Sequence, residues 1–189
     1  MSAPDVLRFW FGEPGSAEYL HPRDLWFTKS DATDRLIADR FGAIVDDAIV
    51  GKHDDWAATP RGALALVIVL DQFTRNIHRN TPRAFAGDAR ALALATRLVD
   101  TARDLTLAPA ERWFVYMPFE HSERLVDQYE SVRLFERLAA DGLVAPLDWA
   151  RKHFDVVARF GRFPHRNAIL GRASAPEEVE YLNQPGSGF

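Results

Sequence analysis

Residues 159–167 read RFGRFPHRN and hold three arginines, one histidine and one asparagine. The glycine and the proline in this stretch indicate the end of one helix and the start of a short one. The candidate ligand-binding side chains at this junction are Arg162, His165, Arg166 and Asn167. Because a guanidinium group in a fixed position binds carboxylates and phosphates through paired hydrogen bonds, we expect an anion site here.

The same cations have a second interpretation, in which they pair with carboxylates of the protein itself. Candidate partners elsewhere in the sequence are Asp71, Glu120 and Glu123. Buried ion pairs of this kind fix how helices meet, and their donors are already used within the protein. The sequence is compatible with both interpretations.

A second polar group occupies the stretch LDQFTRNIHR, residues 70–79, which continues the apolar run ALALVIVL. Its candidate binding side chains are Asp71, Gln72, Arg75, Asn76 and Arg79. Asp71 and Arg75 are four residues apart, so they share one face of a helix. Polar residues at the end of an otherwise apolar helix indicate a buried site. The alternative is a helix end that emerges into water and carries a surface ion pair.

A third polar group lies in MPFEHSERLVDQ, residues 117–128. Pro118 is expected to end one helix, and Ser122 is expected to cap the next. His121 and Glu123 lie in the corner between them and are the candidate catalytic residues, since a histidine and a carboxylate can act as general acid and base. In the other interpretation this corner is an ordinary helix start, where acidic side chains are favourable.

Other site chemistries are excluded by what the sequence lacks. There is no cysteine, which removes disulfides and thiol catalysis. The six histidines include no pair at the i, i+4 spacing of a helical metal site, so we predict no metal ion. No glycine-rich phosphate loop or serine nucleophile elbow is present, and we predict no cofactor.

Charge and hydropathy narrow the class of partner. The chain has 23 basic and 27 acidic residues, a net charge of -4, which gives no net attraction to nucleic acid or to an anionic membrane. The N-terminus does not resemble a signal peptide, and the most apolar run is too short to span a bilayer. We therefore expect a cytoplasmic protein whose partner is a small anionic molecule or a peptide.

Helical periodicity predicts the fold. Residues 31–51 place apolar side chains three and four positions apart, beginning after Asp31 as a candidate cap. A second helix starts at Thr59 and Pro60, and its apolar first half indicates a position in the centre of the fold. No segment is convincing as a strand. The prediction is one all-α domain over residues 1–189, built from antiparallel helix pairs.

Two further helices are predicted toward the C-terminus. The stretch SERLVDQYESVRLFERLAADG is expected to bury Leu125, Tyr129, Val132, Phe135 and Ala139. In SAPEEVEYL, Ser174 and Glu177 have the spacing of a capping box.

Four stretches together resemble the bacterial domain-of-unknown-function family 924: VLRFWFGE, LDQFTRNIHRNTPRAFAGDARAL, MPFEHSERLVDQ and RFGRFPHRNAILGRASAPEEVEYL. The resemblance covers nearly the whole chain and implies an all-helical, tetratricopeptide-like array. It also implies that ten of the residues named above lie in the signature motifs of the family, without giving any of them a role: Asp71, Gln72, Arg75, Asn76, His121, Glu123, Arg162, His165, Arg166 and Asn167.

Three functional hypotheses follow from the polar groups. In the first, the chain is a binding module whose basic pocket accepts a small anion or an acidic peptide terminus. In the second, it is a hydrolase or transferase in which His121 and Glu123 exchange protons while arginines hold an anionic group. In the third, the polar groups are ion-pair networks that fix helix register and bind no ligand.

Overall fold

The computed structural model describes residues 1–188, which form helices and no strand. The helices are α1 (Ala3–Phe11), α2 (Asp24–Phe27), α3 (Asp31–Ile49), α4 (Pro60–Val67), α5 (Thr74–Ile77), α6 (Asp88–Asp100), α7 (Pro109–Glu120), α8 (Leu125–Ala140), α9 (Ala145–Phe160) and α10 (Pro176–Leu182). Short 3-10 turns lie at Asp54–Ala58, Pro82–Phe85, Arg103–Thr106 and Pro164–Arg166. The predicted all-α class is confirmed, and the tetratricopeptide-like arrangement stays a prediction.

The helix α3 shows how the periodic pattern becomes a buried face. Its buried residues are Ile37, Phe41, Ile44, Val45 and Ala48. They recur at three- and four-residue intervals and pack into the main hydrophobic core. The cap lies one residue earlier than predicted, because the Ser30 side chain, not Asp31, accepts the N–H of Thr33.

A continuous helical rod crosses the centre of the fold from α4 to α5. The predicted cap is present, since the Thr59 hydroxyl accepts the N–H of Gly62 at 3.1 Å. All residues from 62 to 74 are buried. Asp71 and Gln72 therefore lie inside the protein, not at a helix end that emerges into water.

The rod contains a π-helical segment, Ile68–Phe73, between α4 and α5. Its wider turn displaces backbone carbonyls from regular α-helical bonding, and side chains take some of them up. The Thr74 hydroxyl donates to the Leu70 carbonyl at 2.8 Å, and Arg75 Nη1 donates to the Asp71 carbonyl at 2.7 Å. Stretches of this kind are frequent at functional sites.

The start of α6 packs directly against this π-helical segment. Gly87 precedes α6, and a Cβ atom added to it would lie 2.1 Å from the Leu70 carbonyl oxygen. Only a residue without a side chain allows this approach. The contact brings Asp88, the first residue of α6, next to Arg75.

The corner between α7 and α8 differs from the prediction. Helix α7 runs through Pro118 and ends at Glu120. Since proline has no N–H to donate to the carbonyl four residues earlier, the last turn of α7 lacks one helical hydrogen bond and continues nonetheless. Ser122 is not the N-cap of α8, but its hydroxyl accepts the N–H of Arg124 at 3.2 Å and donates to Asp127 at 2.6 Å.

The predicted buried stripe of α8 is wrong at its N-terminal end, where Leu125 is 42% exposed and Tyr129 is 61% exposed. The buried residues are Gln128, Ser131, Leu134, Phe135 and Leu138. Gln128 is buried because its amide donates to the carbonyls of Glu120 at 2.7 Å and Ser122 at 2.6 Å. The hydrogen bonds of Gln128 thus accompany burial of a different face of α8 from the one that its apolar residues predict.

Beyond α9 the chain turns back toward the cluster of polar residues. Gly161 ends α9 with a φ of 69°, a left-handed conformation that favours glycine. Helix α10 is capped one residue later than predicted, because Glu178, not Glu177, accepts the N–H of Ala175 at 2.7 Å. Within residues 1–188 no helix has the length and apolar character needed to cross a bilayer.

We expect Gly87→Ala to destabilise the protein, because the new methyl group would meet a backbone carbonyl that cannot move without disturbing the π-helical segment. Overpacking of this kind costs about 1–3 kcal/mol in the free energy of unfolding. Urea denaturation measures the loss. The matched control is Gly42→Ala in α3, where no atom lies within 4 Å of the added Cβ. That variant should gain stability, by about 0.5–1 kcal/mol, and equal effects at the two positions would contradict the close-contact argument.

Candidate functional site

Asp71 and His121 form the innermost pair of the site. Asp71 is 1% exposed, and its Oδ1 atom lies 2.7 Å from His121 Nδ1. The Gln72 amide donates to the other carboxylate oxygen at 2.6 Å. His121 follows the last residue of α7, and its side chain is 12% exposed. The pair therefore joins the π-helical segment to the end of α7.

Arg75 links this pair to α6. It lies 3.1 Å from the Asp71 carboxylate and donates to both oxygens of Asp88, at 2.8 and 3.0 Å. This two-pronged bond uses the geometry in which a guanidinium and a carboxylate pair most strongly. Both oxygens of Asp88 are consequently taken by Arg75.

Arg166 enters the same region from the 3-10 turn after α9. Its guanidinium carbon lies 4.4 Å from the ring centroid of Phe163 and 4.8 Å from that of Phe85. The residue is 6% exposed, and its closest carboxylate oxygen is Asp88 Oδ2, at 3.8 Å from Nη1. That distance is too long for a hydrogen bond. The Nε atom is buried and has no hydrogen-bond partner within residues 1–188.

Two further histidines adjoin the group. His153, on α9, is buried, and its Nδ1 atom hydrogen-bonds the Trp149 carbonyl at 2.9 Å and also lies 2.9 Å from the buried carboxylate of Glu120. Its ring is 6.2 Å from that of His121 and 5.5 Å from that of Phe163. His165 lies on the outer side, with its ring 5.6 Å from that of Phe163.

These side chains form a closed circuit of contacts, in which each one contacts the next and the last contacts the first. We use the name central cluster for the seven side chains that follow one another around the circuit: Asp71, Arg75, Asp88, Arg166, Phe163, His153 and His121. Arg166 and His121 are thus joined by two routes, one polar and one aromatic. The elements that supply the cluster are the central rod, α6, the end of α7, α9 and the turn after α9.

The pKa values of Asp71 and His121 follow from burial and neighbouring charge. Burial alone would raise the pKa of Asp71, but the charge of Arg75 and the hydrogen bonds from His121 and Gln72 outweigh it and hold that pKa below its usual range. Burial lowers the pKa of His121, and Arg75 acts in the same direction against the pull of Asp71. At neutral pH the pair is therefore a carboxylate and a neutral imidazole.

Burial also lowers the pKa values of two basic side chains in the turn after α9, His165 and Arg166. Burial, followed by the charges of Arg166 and His153, lowers the pKa of His165 to about 4, so this imidazole is neutral at pH 7. Burial and the charge of Arg75 lower the pKa of Arg166 to about 10, so Arg166 stays charged. A charged group that is buried without a hydrogen-bonded partner is costly to a fold.

Several predicted site residues lie outside the central cluster. Asn76 donates to Asp34 of α3 at 2.8 Å, and Arg79 pairs with the same carboxylate. Arg162 donates to both oxygens of Glu178 at 2.6 and 2.7 Å. Asn167 also donates to Glu178, at 3.1 Å. These side chains fasten α3 and α10 to the rest of the structure.

Glu123 is separate from His121 in its contacts. It accepts two hydrogen bonds from Arg172, at 2.7 and 2.9 Å, and one from the N–H of Phe163 at 2.9 Å. Burial would raise the pKa of Glu123, but these donors lower it overall. Within residues 1–188 no hydrogen bond or ion pair joins Glu123 to His121, and the carboxylate on His121 is that of Asp71.

Sequence reasoning missed part of the cluster. Asp88 was not a candidate, because an acidic residue at the start of a helix is favourable without any site. Phe85 and Phe163 were not recognised as contacts of an arginine. Glu120 was considered only as an ion-pair partner for arginines, and it pairs with His153 instead. The sequence contains one indication of Asp88, which is the glycine directly before it in GDAR, residues 87–90.

Neither a metal-binding group nor either of two cavities coincides with the central cluster in the described residues. Within the described residues, no three histidine, aspartate or glutamate side chains are grouped so that they could hold a metal ion. Cavities of about 530 and 460 Å³ lie elsewhere, beside α1 and beside α8, and no central-cluster residue lines either of them.

A family model described as "Bacterial protein of unknown function (DUF924)" matches residues 6–186. The chain belongs to this family. A solved structure of a protein of unknown function from Agrobacterium tumefaciens is 36% identical in sequence and covers 96% of each chain, with a TM-score of 0.84. No curated protein matches the chain. All residues of the central cluster lie within the part that matches the DUF924 model.

We expect Arg75→Met to cost about 3–5 kcal/mol in the free energy of unfolding, since it leaves the buried Asp71 without its cation. Urea denaturation at pH 7 gives the value. The control is Arg83→Met, which removes the same charge from an ion pair whose side chains are both more than half exposed. Such surface pairs contribute little. A loss for Arg75→Met no larger than the control's would show that this bond does not hold the cluster.

A pH titration tests the fastening of α10 by Glu178. The hydrogen bond from Arg162 lowers the pKa of Glu178 to about 2, against an ordinary 4.5, and the N–H of Ala175 and Asn167 add to this. Because the pKa is lower in the folded state, the stabilisation is complete above pH 4.5 and disappears as the pH falls toward 2.

We therefore expect Glu178→Gln to be less stable than wild type at pH 7, and the difference to shrink on acidification through this range. Unfolding in urea at a series of pH values provides the comparison. Glu177→Gln, an exposed neighbour, should show no such convergence with wild type. A pH-independent difference for Glu178→Gln would exclude the ion pair as its cause.

Proposed function

We propose that this DUF924 protein binds a small oxyanion at the central cluster, with Arg166 as the main binding residue. One observation carries the proposal: Arg166 is a charged, almost fully buried guanidinium with no hydrogen bond to a carboxylate within residues 1–188. Proteins satisfy such groups, because a buried donor without a partner costs about 1–3 kcal/mol and a charged one more. An anion supplies both the missing acceptor and the missing charge.

The neighbours of Arg166 support an anion over a further protein carboxylate. Arg75 occupies both oxygens of Asp88, and Arg172 occupies both oxygens of Glu123. The nearby carboxylates are therefore already used by other arginines. The rings of Phe85 and Phe163 hold the guanidinium through cation–π contacts, which orient it without using its N–H groups. The small exposed fraction favours an ion or small molecule over a peptide.

Acid–base catalysis is the second candidate function, and the Asp71–His121 hydrogen bond favours it. A carboxylate that holds one ring nitrogen of a histidine leaves the other free to exchange a proton with a substrate. In this form of the hypothesis Asp71, and not Glu123, orients His121. Glu123 instead holds Arg172 and the N–H of Phe163. A bound anion would then be the substrate, and turnover would depend on His121.

The purely structural hypothesis makes a different statement about Arg166. If the arginine were there only to fix helix register, its removal would destabilise the protein whether or not anions are present. Arg162 and Arg75 fit that description, since each is paired with a buried carboxylate. Arg166 does not, because no side chain is left unpaired when it is removed.

The test is a thermal-shift titration of wild type and Arg166→Met with phosphate, sulfate and small carboxylates. A ligand at one hundred times its dissociation constant stabilises the folded state by about 2.7 kcal/mol, which raises the Tm by roughly 5–10 °C in a chain of this size. We expect that shift in wild type and not in Arg166→Met. Without anions the variant should be as stable as wild type or more so.

Arg35→Met is the matched control, since it removes one positive charge from an exposed position on α3. It should keep the anion-dependent shift of wild type. A large loss of stability in Arg166→Met together with equal anion shifts in all three proteins would contradict the proposal and favour the structural hypothesis.

A further inference from the structure

The hydrogen bond between Asp71 and His121 determines which nitrogen of the imidazole carries the proton. Asp71 Oδ1 faces His121 Nδ1 at 2.7 Å and Arg75 Nη1 at 3.1 Å, and Asp71 Oδ2 receives the Gln72 amide at 2.6 Å. A carboxylate surrounded by donors on both oxygens is an acceptor on each of them. The proton between the two side chains therefore belongs to Nδ1 of the histidine.

The other nitrogen is left as an acceptor. A second proton on the ring would place an imidazolium next to Arg75 in a buried position, where two like charges and the loss of water both oppose it. Other titratable groups close to the His121 ring are Glu120, His153 and His165, and Glu120 Oε1 lies 2.9 Å from His153 Nδ1. With the proton on Nδ1, the Nε2 atom presents a lone pair, and it has no hydrogen-bond partner within the described residues.

Around the circuit of the central cluster, the donor group of Arg166 and the acceptor atom of His121 belong to one region. Arg166 reaches His121 through Asp88, Arg75 and Asp71 on one side. On the other side it reaches His121 through Phe163 and His153. A ligand that is bound by the Arg166 guanidinium and also reaches His121 Nε2 would meet a positively charged donor and a neutral acceptor. An ion that can only accept hydrogen bonds satisfies the Arg166 guanidinium, but its oxygens are repelled by the lone pair of His121 Nε2.

We propose that the site selects an oxyanion that has an O–H group of its own, such as hydrogen phosphate or a hydroxycarboxylate, and discriminates against sulfate. The proposal rests on the anion binding proposed above and adds the class of ligand. Asp71 and His121 are then the specificity-determining residues: Asp71 is a positioning residue that fixes the tautomer, and His121 Nε2 accepts a hydrogen bond from the O–H group of the ligand. Sulfate has the shape and charge of phosphate but carries no proton at neutral pH.

The first experiment measures the tautomer without any ligand. In protein labelled with ¹⁵N at histidine, two-bond ¹H–¹⁵N correlations at pH 7 distinguish the two neutral forms and the cation. His121→Gln assigns the resonance among the six histidines. We expect the neutral form protonated on Nδ1. A ring protonated on Nε2, or on both nitrogens, would overturn the inference even if anions bind.

The second experiment compares two pairs of probes by calorimetry at pH 7: phosphate with sulfate, and glycolate with fluoroacetate, which lacks the hydroxyl. A site that hydrogen-bonds a ligand O–H rejects the analogue without it, and we expect at least about tenfold tighter binding of the protonated member of each pair. The two pairs also tell whether an inorganic ion or a carboxylate is the better ligand.

Asp71→Asn should reverse the preference. An asparagine amide can donate to Nδ1, which moves the ring proton to Nε2 and turns the acceptor into a donor, so sulfate should bind at least as well as phosphate. Because Asp71 is buried beside Arg75, this variant can lose its fold. His121→Gln is the second variant, since its amide can rotate to donate or accept, and its phosphate-to-sulfate ratio should fall to near one. His21→Gln, an exposed histidine outside the cluster, should keep the wild-type ratio.

Equal affinities for phosphate and sulfate in wild type, both abolished in Arg166→Met, would overturn the selectivity and leave the anion site standing. Binding of none of the four probes would contradict the anion site itself, and the selectivity with it.

Discussion

The two-pronged bond from Arg75 to Asp88 determines how the rest of the site is arranged. It joins the central rod to α6, and the same guanidinium lies against Asp71, which in turn holds His121 at the end of α7. Arg75 donates to both oxygens of Asp88, whereas the next cation along the circuit, Arg166, lies 3.8 Å from that carboxylate, too far for a hydrogen bond. Arg166 thus lacks the hydrogen bonds to a carboxylate that Arg75 has.

Charged groups inside an apolar core are seldom the most stable solution. Taking a carboxylate and a guanidinium out of water costs several kcal/mol each, and hydrophobic replacements of similar volume are often as stable. In this chain the central rod is buried on every side, yet it turns Asp71 and Gln72 into that interior. The surrounding donors satisfy Asp71 fully, whereas Arg166 is left with aromatic contacts and a distant carboxylate. A completed pair and an incomplete one thus lie within a single cluster, and the anion-binding proposal concerns the incomplete one.

Local patterns in the sequence were sufficient for most of the fold and for the membership of the polar groups. The buried face of α3, the capped start of α4 at Thr59 and the end of α9 at Gly161 all follow from periodicity and capping. The choice of partners did not follow, because it depends on which helices meet. Arg162 pairs with Glu178 and Arg79 with Asp34, carboxylates that no motif connects to them.

Where the sequence analysis was wrong, a tertiary contact overrode a local preference. The apolar stripe of α8 indicated burial of Tyr129, but the hydrogen bonds of Gln128 to the end of α7 turned a different face inward. Pro118 predicted a helix end, yet α7 continues past it to Glu120, although the proline cannot donate a hydrogen bond to the Phe114 carbonyl. The position of Asp88 depends on the contact between Gly87 and Leu70, which is invisible in any one segment.

The π-helical segment has a geometric consequence for the rod that contains it. Relative to a regular α-helix it accommodates one additional residue, and each residue advances an α-helix by about 100°. Everything C-terminal to the segment is therefore rotated by that angle with respect to α4. The rotation aligns Arg75 with α6, while Asn76 and Arg79 face α3. A one-residue change of phase in the middle of an apolar helix thus distributes its polar end between two neighbours, one that completes the site and one that fastens the helix in place.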